Sequence, residues 1–306
     1  MFLSVYIRKI NVRMMRMSLA KFEIFNTVVE LGSLTEASVK LGLTQSAVSH
    51  AISSLETEWG FSILSRGRSG IHLTSNGEEV LQFVREILKW NEKMVQHIGK
   101  MNGMEVGTVR IGTFTSVSVQ WLPSILNLFN ELHPAIEIKL LEGDYEAIEP
   151  WVVSGAVDFG FMSLPSMKAF DEIPLKQDRM LCIVSDQHPL AAQEVVRFEQ
   201  LKNEKFIMPK KSADHDVRRI LKENGVVPQI QYELVDDQAI VSMVQHGMGI
   251  SILPELVLFR VPENVRMIPL EGEYVRSIGL VSTSFKTISP AAKKMIRAIQ
   301  SWLSEQ

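Results

Sequence analysis

The chain has 306 residues, 46% hydrophobic and 22% charged, a composition that fits two or three folded domains and excludes a disordered chain. Its formal net charge of −3 makes no electrostatic case for nucleic acid. A single cysteine, Cys182, excludes a disulfide framework and a cysteine-rich metal site, and suits a reducing, cytoplasmic compartment.

The first stretch, "MFLSVYIRKINVRMMRMSLAKF", sets its apolar run ahead of the basic residues and has no small-residue cleavage site, so it does not read as a signal peptide. No run approaches the ~18 apolar residues of a membrane span, and no membrane partner is expected. Residues 1–16 read as an N-terminal extension, because Met14, Met15 and Met17 each fit a start. The alternative is a basic arm carrying Arg8, Lys9, Arg13 and Arg16.

Residues 17–75 predict three helices and a hairpin. The first helix, near 18–31, turns Phe22, Phe25 and Val28/Val29 inward. The second opens at "SLTE", where Ser33 caps and Glu36 completes a capping box, and it ends at Gly42. Thr44 caps the third, "TQSAVSHAISSLE", whose apolar stripe is Val48, Ile52, Leu55 and Trp59. Small Ala37 and Ser38 allow close crossing, so the last two helices form a helix-turn-helix. "ILSRGRSGIHLT" (63–74) follows as a wing with Arg66 and Arg68 on its turn.

The opposite face of the third helix collects Gln45, Ser46, Ser49, His50 and Ser53, with no charge among them. A solvated helix would carry Glu and Lys there. A helix laid in a major groove needs short polar groups that meet base edges, and Gln45 suits a bidentate pair with adenine. The candidate contacts to double-stranded DNA are Ser33, Thr35, Thr44, Gln45, Ser46, Ser49, His50, Ser53, Arg66 and Arg68. Against four cations (Lys21, Lys40, Arg66, Arg68) stand Glu23, Glu30, Glu36, Glu56 and Glu58, so the electrostatic drive must be local or doubled. A polar surface on an unrelated small domain is the bland alternative.

"GSLTEASVKLGLTQSAVSHAISSLE" followed by "WGFSILSRGRSGIHLTSNGEEVL" resembles the winged helix-turn-helix of LysR-type transcriptional regulators over some sixty positions. Ser38 stands where that family favours a second alanine, and Ile63-Leu64 where it favours Leu-Phe.

Residues 76–106 predict a long linker helix and a hinge at "NGMEVG". Val80, Val84, Ile87, Asn91, Met94, Ile98 and Met101 alternate spacings of four and three, the repeat of a coiled-coil seam with Asn91 fixing register. The alternative is a helix folded onto its own domain, since Leu81, Phe83, Leu88 and Trp90 widen the apolar surface. The resemblance implies self-association here, as a homodimer or homotetramer.

From residue 107 strands and helices alternate: "TVRIGTF", "IEIKLLEG", "DFGFMS", "RMLCIVS", "KFIMP", "QIQYELV", "GISILP" and "SIGLVS" read as strands of an α/β sheet, parallel in large part. Two lobes are expected, one of residues 107–175 and 277–306, the other of 176–276. "GTFTSVS" ends the first strand in hydroxyls; Thr113, Thr115 and Ser116 suit either helix capping or a small polar ligand. Gly247 and Gly249 read as backbone geometry. Segments such as "WLPSILNLFNELHPAIEIKLLEG" and "VQHGMGISILPE" resemble the family's effector domain, similar in fold to periplasmic solute-binding proteins. That resemblance implies a small-molecule effector between the lobes, touching Thr115, Ser116, Ser163, Met208, Gln238 and Gly247.

No P-loop, HExxH or GxSxG appears, "DHD" (214–216) alone cannot enclose a metal ion, and Cys182 lies mid-strand in "LCIVS", where packing outweighs reactivity. No catalytic residue, metal or cofactor is expected. The expected fold is α/β: an all-α winged helix-turn-helix, a long linker helix and a two-lobed α/β effector-binding domain. An enzyme with an appended regulatory domain lacks a reactive constellation. A solute-binding transport component lacks an export signal and leaves the first 75 residues without a role.

Overall fold

The computed structural model describes residues 18–67, 70–101, 105–166, 168–210 and 213–306. The expected arm and Arg68 lie outside these residues. Contacts divide the chain into two compact units, 1–94 and 95–306.

In the first unit, α1 (Leu19–Leu31), α2 (Leu34–Leu41) and α3 (Gln45–Trp59) bury Phe22, Phe25, Val28, Ala37, Val48, Ile52 and Leu55 in one core. Ser33 caps α2 by accepting from Glu36 N at 3.3 Å, although among the described residues the Glu36 carboxylate does not return the bond that a full capping box requires. Gly42 takes φ 65°, which lets the chain turn in three residues from α2 to the Thr44 cap of α3. β1 (Leu64–Gly67) and β2 (Gly70–Leu73) pair antiparallel as the wing. Glu56 faces inward: its Oε1 accepts from the backbone N–H of Ile63 (2.9 Å) and Leu64 (3.4 Å), fixing the wing to the end of α3.

The 27-residue α4 (Ser75–Met101) then packs Leu81 and Val84 into that same core, with Val80, Ile87 and Leu88 beside them. Val84, expected on a seam facing a partner, is 2% exposed and belongs to its own domain. The exposed apolar residues of α4 are instead Phe83, Trp90, Met94, Val95, Ile98 and Met101. Val84 departs from the expected seam because a widened apolar helix serves two faces, while Met94 and Ile98 of that seam are exposed.

The second unit runs β3 (Gly107–Thr113), α5 (Thr115–Gln120), α6 (Leu122–Leu132), β4 (Ile136–Glu142), α7 (Tyr145–Val153), β5 (Phe159–Leu164), β6 (Asp171–Ser185), α8 (Phe198–Leu201), β7 (Lys205–Pro209), α9 (Ala213–Glu223), β8 (Gln229–Leu234), α10 (Asp237–Gln245), β9 (Ser251–Pro254), β10 (Val265–Pro269), β11 (Val275–Ser282) and α11 (Pro290–Ser304). Strands β10-β6-β11-β5-β3-β4 form one path, β9 adds to β6, and β7-β8 pair separately. The parallel pairs are β3-β4, β3-β5 and β7-β8; the pairs that β6 and β11 make are antiparallel, so the sheet is mixed rather than largely parallel.

Fifteen-residue β6 passes from one hydrophobic core to the next. The first core gathers Ile111, Phe129, Phe159, Phe161, Leu280 and Met295. The second gathers Cys182, Phe206, Met208, Ile220 and Ile252, with a further layer around Ile183, Ile240 and Leu253. β6 and β11 are thus the strands that join two lobes.

Candidate nucleic-acid interface and inter-lobe cleft

The apolar stripe of α3 is fixed inward by burial, which leaves its polar face outward. Gln45, Ser46, His50 and Ser53 are exposed and Ser49 is half-buried. Thr44 Oγ1 accepts from Ala47 N at 3.2 Å and shares a 3.0 Å hydrogen bond with Ser46 Oγ. Among the described residues, the side chains of Gln45, Ser49, His50 and Ser53 have no protein partner, so their donors and acceptors are free for another molecule. Thr35, at the start of α2, is exposed, and Arg66 lies on β1 of the wing opposite Ile71. Lys21 pairs with Glu58 and Ser54, and Lys40 with Glu30, so both lysines are tied down.

In the second unit the hydroxyls after β3 divide. Thr113 is wholly buried and bonded to its neighbours, accepting from Ser118 Oγ at 3.2 Å. Thr115 is exposed and donates to Glu142 Oε1 at 3.0 Å. Ser116, 5% exposed, accepts from Arg276 Nη2 at 3.2 Å. Ser163 Oγ donates to Asp216 Oδ2 at 3.4 Å, linking β5 to α9. Met208 is buried in the second core, so its side chain offers nothing to a cleft. Gln238 opens α10 while Gly247 lies beyond its other end, so this nine-residue helix keeps them apart.

What the structure assembles instead is a buried charge cluster that the sequence reading missed. Arg276 of β11 stands opposite Asp178 of β6 in register. Its Nη2 lies 2.5 Å from Asp178 Oδ2, its Nε 3.2 Å from the same oxygen, and its Nη1 3.3 Å from Tyr145 Oη. The guanidinium carbon sits 5.2 Å from the Phe114 ring centroid, and Phe114 meets Tyr145 edge-on at 5.1 Å. Leu256 N donates to Asp178 at 2.9 Å. Burial pushes the Asp178 carboxyl up, against the pull of Arg276 and the Leu256 N–H. Burial also opposes the Arg276 charge, but Tyr145 and Asp178 hold its pKa above the ordinary value, so it stays protonated.

Asp237, at the start of α10, is pushed up to about 6 by burial, with Asp236 adding to the rise and Arg276 opposing it. In the sequence Asp178 and Arg276 each stand directly ahead of an apolar strand, but nothing local pairs them. Burial pushes the Cys182 thiol up to about 12, which leaves it unreactive, and one cysteine makes no intrachain disulfide. Among the described residues no helix is long and apolar enough to cross a membrane.

A free groove-sized polar helix on a wing-bearing three-helix unit, followed by a two-lobed α/β domain, defines a DNA-binding regulator with a sensing module. Residues 19–78 match "Bacterial regulatory helix-turn-helix protein, lysR family", and residues 102–304 match "LysR substrate binding domain". The chain belongs to the LysR family of transcriptional regulators. It is 31% identical over 283 residues to the uncharacterized regulator YvbU of Bacillus subtilis, covering 92% of this chain and 97% of that one. The probable regulator LrrA of Synechococcus elongatus is 34% identical over 277 residues, covering 89% and 94%. In fold it is similar to full-length OxyR from Pseudomonas aeruginosa (TM-score 0.74, 18% identity, 94% of each chain). It is also similar to full-length CbnR complexed with its target DNA (TM-score 0.64, 18% identity, 93% of this chain and 99% of that one).

Proposed function

We propose that this protein binds an operator as a cytoplasmic homodimer or homotetramer, reading bases with α3 and positioning itself on phosphates through the wing. Gln45, Ser46, Ser49, His50 and Ser53 take the base edges; Ser33, Thr35, Thr44, Arg66 and Arg68 take the backbone. The observation that carries this reading is the uncharged face of α3, on which Gln45, Ser49, His50 and Ser53 have no protein partner among the described residues. The exposed apolar residues Phe83, Trp90, Met94, Ile98 and Met101 supply the self-association face, which shares Met94, Ile98 and Met101 with the seam expected from sequence. Asn91, half-buried beside that face, takes the register role.

A small-molecule effector enters between the lobes and draws on Thr115, Ser116, Ser163 and Gln238, of which Ser116 is hydrogen-bonded to Arg276 of the Arg276–Asp178 pair. It acts by binding one lobe arrangement better than the other. The test selects DNA from a random-sequence pool with the full-length protein and measures sedimentation of the purified chain. A recovered two-half-site motif and a species larger than the monomer support the reading. A monomer that enriches no sequence contradicts it.

A further inference from the structure

Gln96 lies in the last two turns of α4 yet is only 4% exposed. Its Oε1 accepts from the backbone N–H of Ala291 at 3.3 Å, in the first turn of α11. Its Nε2 has no hydrogen-bond partner and is the one buried side-chain nitrogen or oxygen left so among the described residues. A buried amide with one satisfied end and one orphaned end is rare in a settled core.

The amide lies against Gly107, which opens β3 at φ 153°. A Cβ there would fall 2.4 Å from Gln96 Nε2 and 2.6 Å from its Cδ. A side chain here strains the backbone and forces the Gln96 amide to shift. Nearby, Glu105 pairs with Lys294 of α11 and, at 2.8 Å, with His133 at the end of α6. Gln96 of α4 therefore meets α11 and the start of β3, and Glu105 ties to α11 and the end of α6. The other end of β3 is Thr113, and Thr115 and Ser116 follow directly.

We propose that Gln96 is a positioning residue that sets how α4 seats on the effector domain, and that β3 carries the state of the inter-lobe cleft to it. This rests on the reading of the chain as an effector-controlled regulator. In this proposal a ligand drawn onto Ser116 of α5 strains the Thr113 end of β3, and the packed strand passes that strain to Gly107 against the amide. The orphaned Nε2 gains an acceptor when α4 re-seats. The described pose and the re-seated pose are then two discrete states of one contact.

The test uses the full-length protein on DNA selected by the wild type, reading hydroxyl-radical footprints and half-site affinity for Gln96→Leu, Ser116→Ala and the double variant. Gln96→Leu keeps the bulk and removes both polar ends. It is expected to keep half-site affinity within about twofold while changing the protected spacing between half-sites. Ser116→Ala, which removes one acceptor from Arg276 and leaves those of Asp178 and Tyr145, is expected to shift the footprint alone and to add nothing in the Gln96→Leu background. A shift by Ser116→Ala that persists undiminished in that background overturns the proposal and leaves the cleft reading standing. A shift by Gln96→Leu with none by Ser116→Ala supports the positioning role and counts against the cleft reading. Should Gln96→Leu fail to fold, Gly107→Ala drives a methyl into the same amide and is expected to shift the spacing. A folded variant of either kind with the wild-type footprint overturns the proposal.

Discussion

Arg276 and Asp178 face each other across β11 and β6, and their 2.5 Å ion pair is buried at the point where the chain passes between its two lobes. Removing one member leaves the other charge buried and unpaired. Asp178→Leu is therefore expected to destabilise the effector domain by about 3–5 kcal/mol, whereas the apolar double change Asp178→Leu with Arg276→Met costs less than either single change. Urea unfolding of the four proteins checks this, and an additive double variant would contradict it.

Asp237 supplies a pH dependence. Its folded pKa of about 6 lies above the ordinary 3.8, so the folded state holds its proton more tightly than the unfolded chain does. The sign follows: stability from this group is fully present below about pH 4 and is lost as pH rises through 6. Asp237→Asn is expected to raise the melting temperature at pH 7.5, by an amount corresponding to roughly 1–2 kcal/mol, and to change it little at pH 4. Equal shifts at both values would contradict the burial argument.

The DNA-binding unit predicts a shallow salt dependence. Lys21 and Lys40 are held by glutamates, so Arg66 and Arg68 are the remaining cations of residues 17–75. Two per domain in a dimer give a slope of log K against log salt of roughly −4. A slope near −8 would show further phosphate contacts, and its loss on deleting residues 1–16 would assign them to the basic arm.

Trp90 and Met94 are 63% and 56% exposed on α4. Trp90→Asp with Met94→Asp is expected to shift sedimentation towards the monomer at micromolar protein while leaving the effector-domain melt unchanged. Asn91→Leu is expected to tighten or re-register the oligomer. Unchanged sedimentation and operator spacing in both would contradict α4 as the interface.

Legibility in the sequence followed the physics of each feature. The α3 stripe and the caps at Ser33 and Thr44 were readable because they are local, set by helical spacing and by residues three apart. β10 and the first half of β6 were not, since "DEIPLKQD" alternates too weakly and holds a proline. Val84 was misassigned because spacing alone does not say which of two partners an apolar face meets. Met208 and Thr113 were named for the cleft and lie in cores, while Arg276, Tyr145 and Asp237 were missed. Arg276 meets Tyr145 and Asp178 across 131 and 98 positions, contacts that no local pattern encodes.

The direct test of the central claim is binding of Gln45→Ala to the selected operator and to unrelated duplex at one fixed salt concentration. Loss of a bidentate base contact costs about 1–3 kcal/mol, so operator affinity is expected to fall roughly 10- to 100-fold while unrelated duplex binds as before. An equal loss on both DNAs would show that α3 does not read bases.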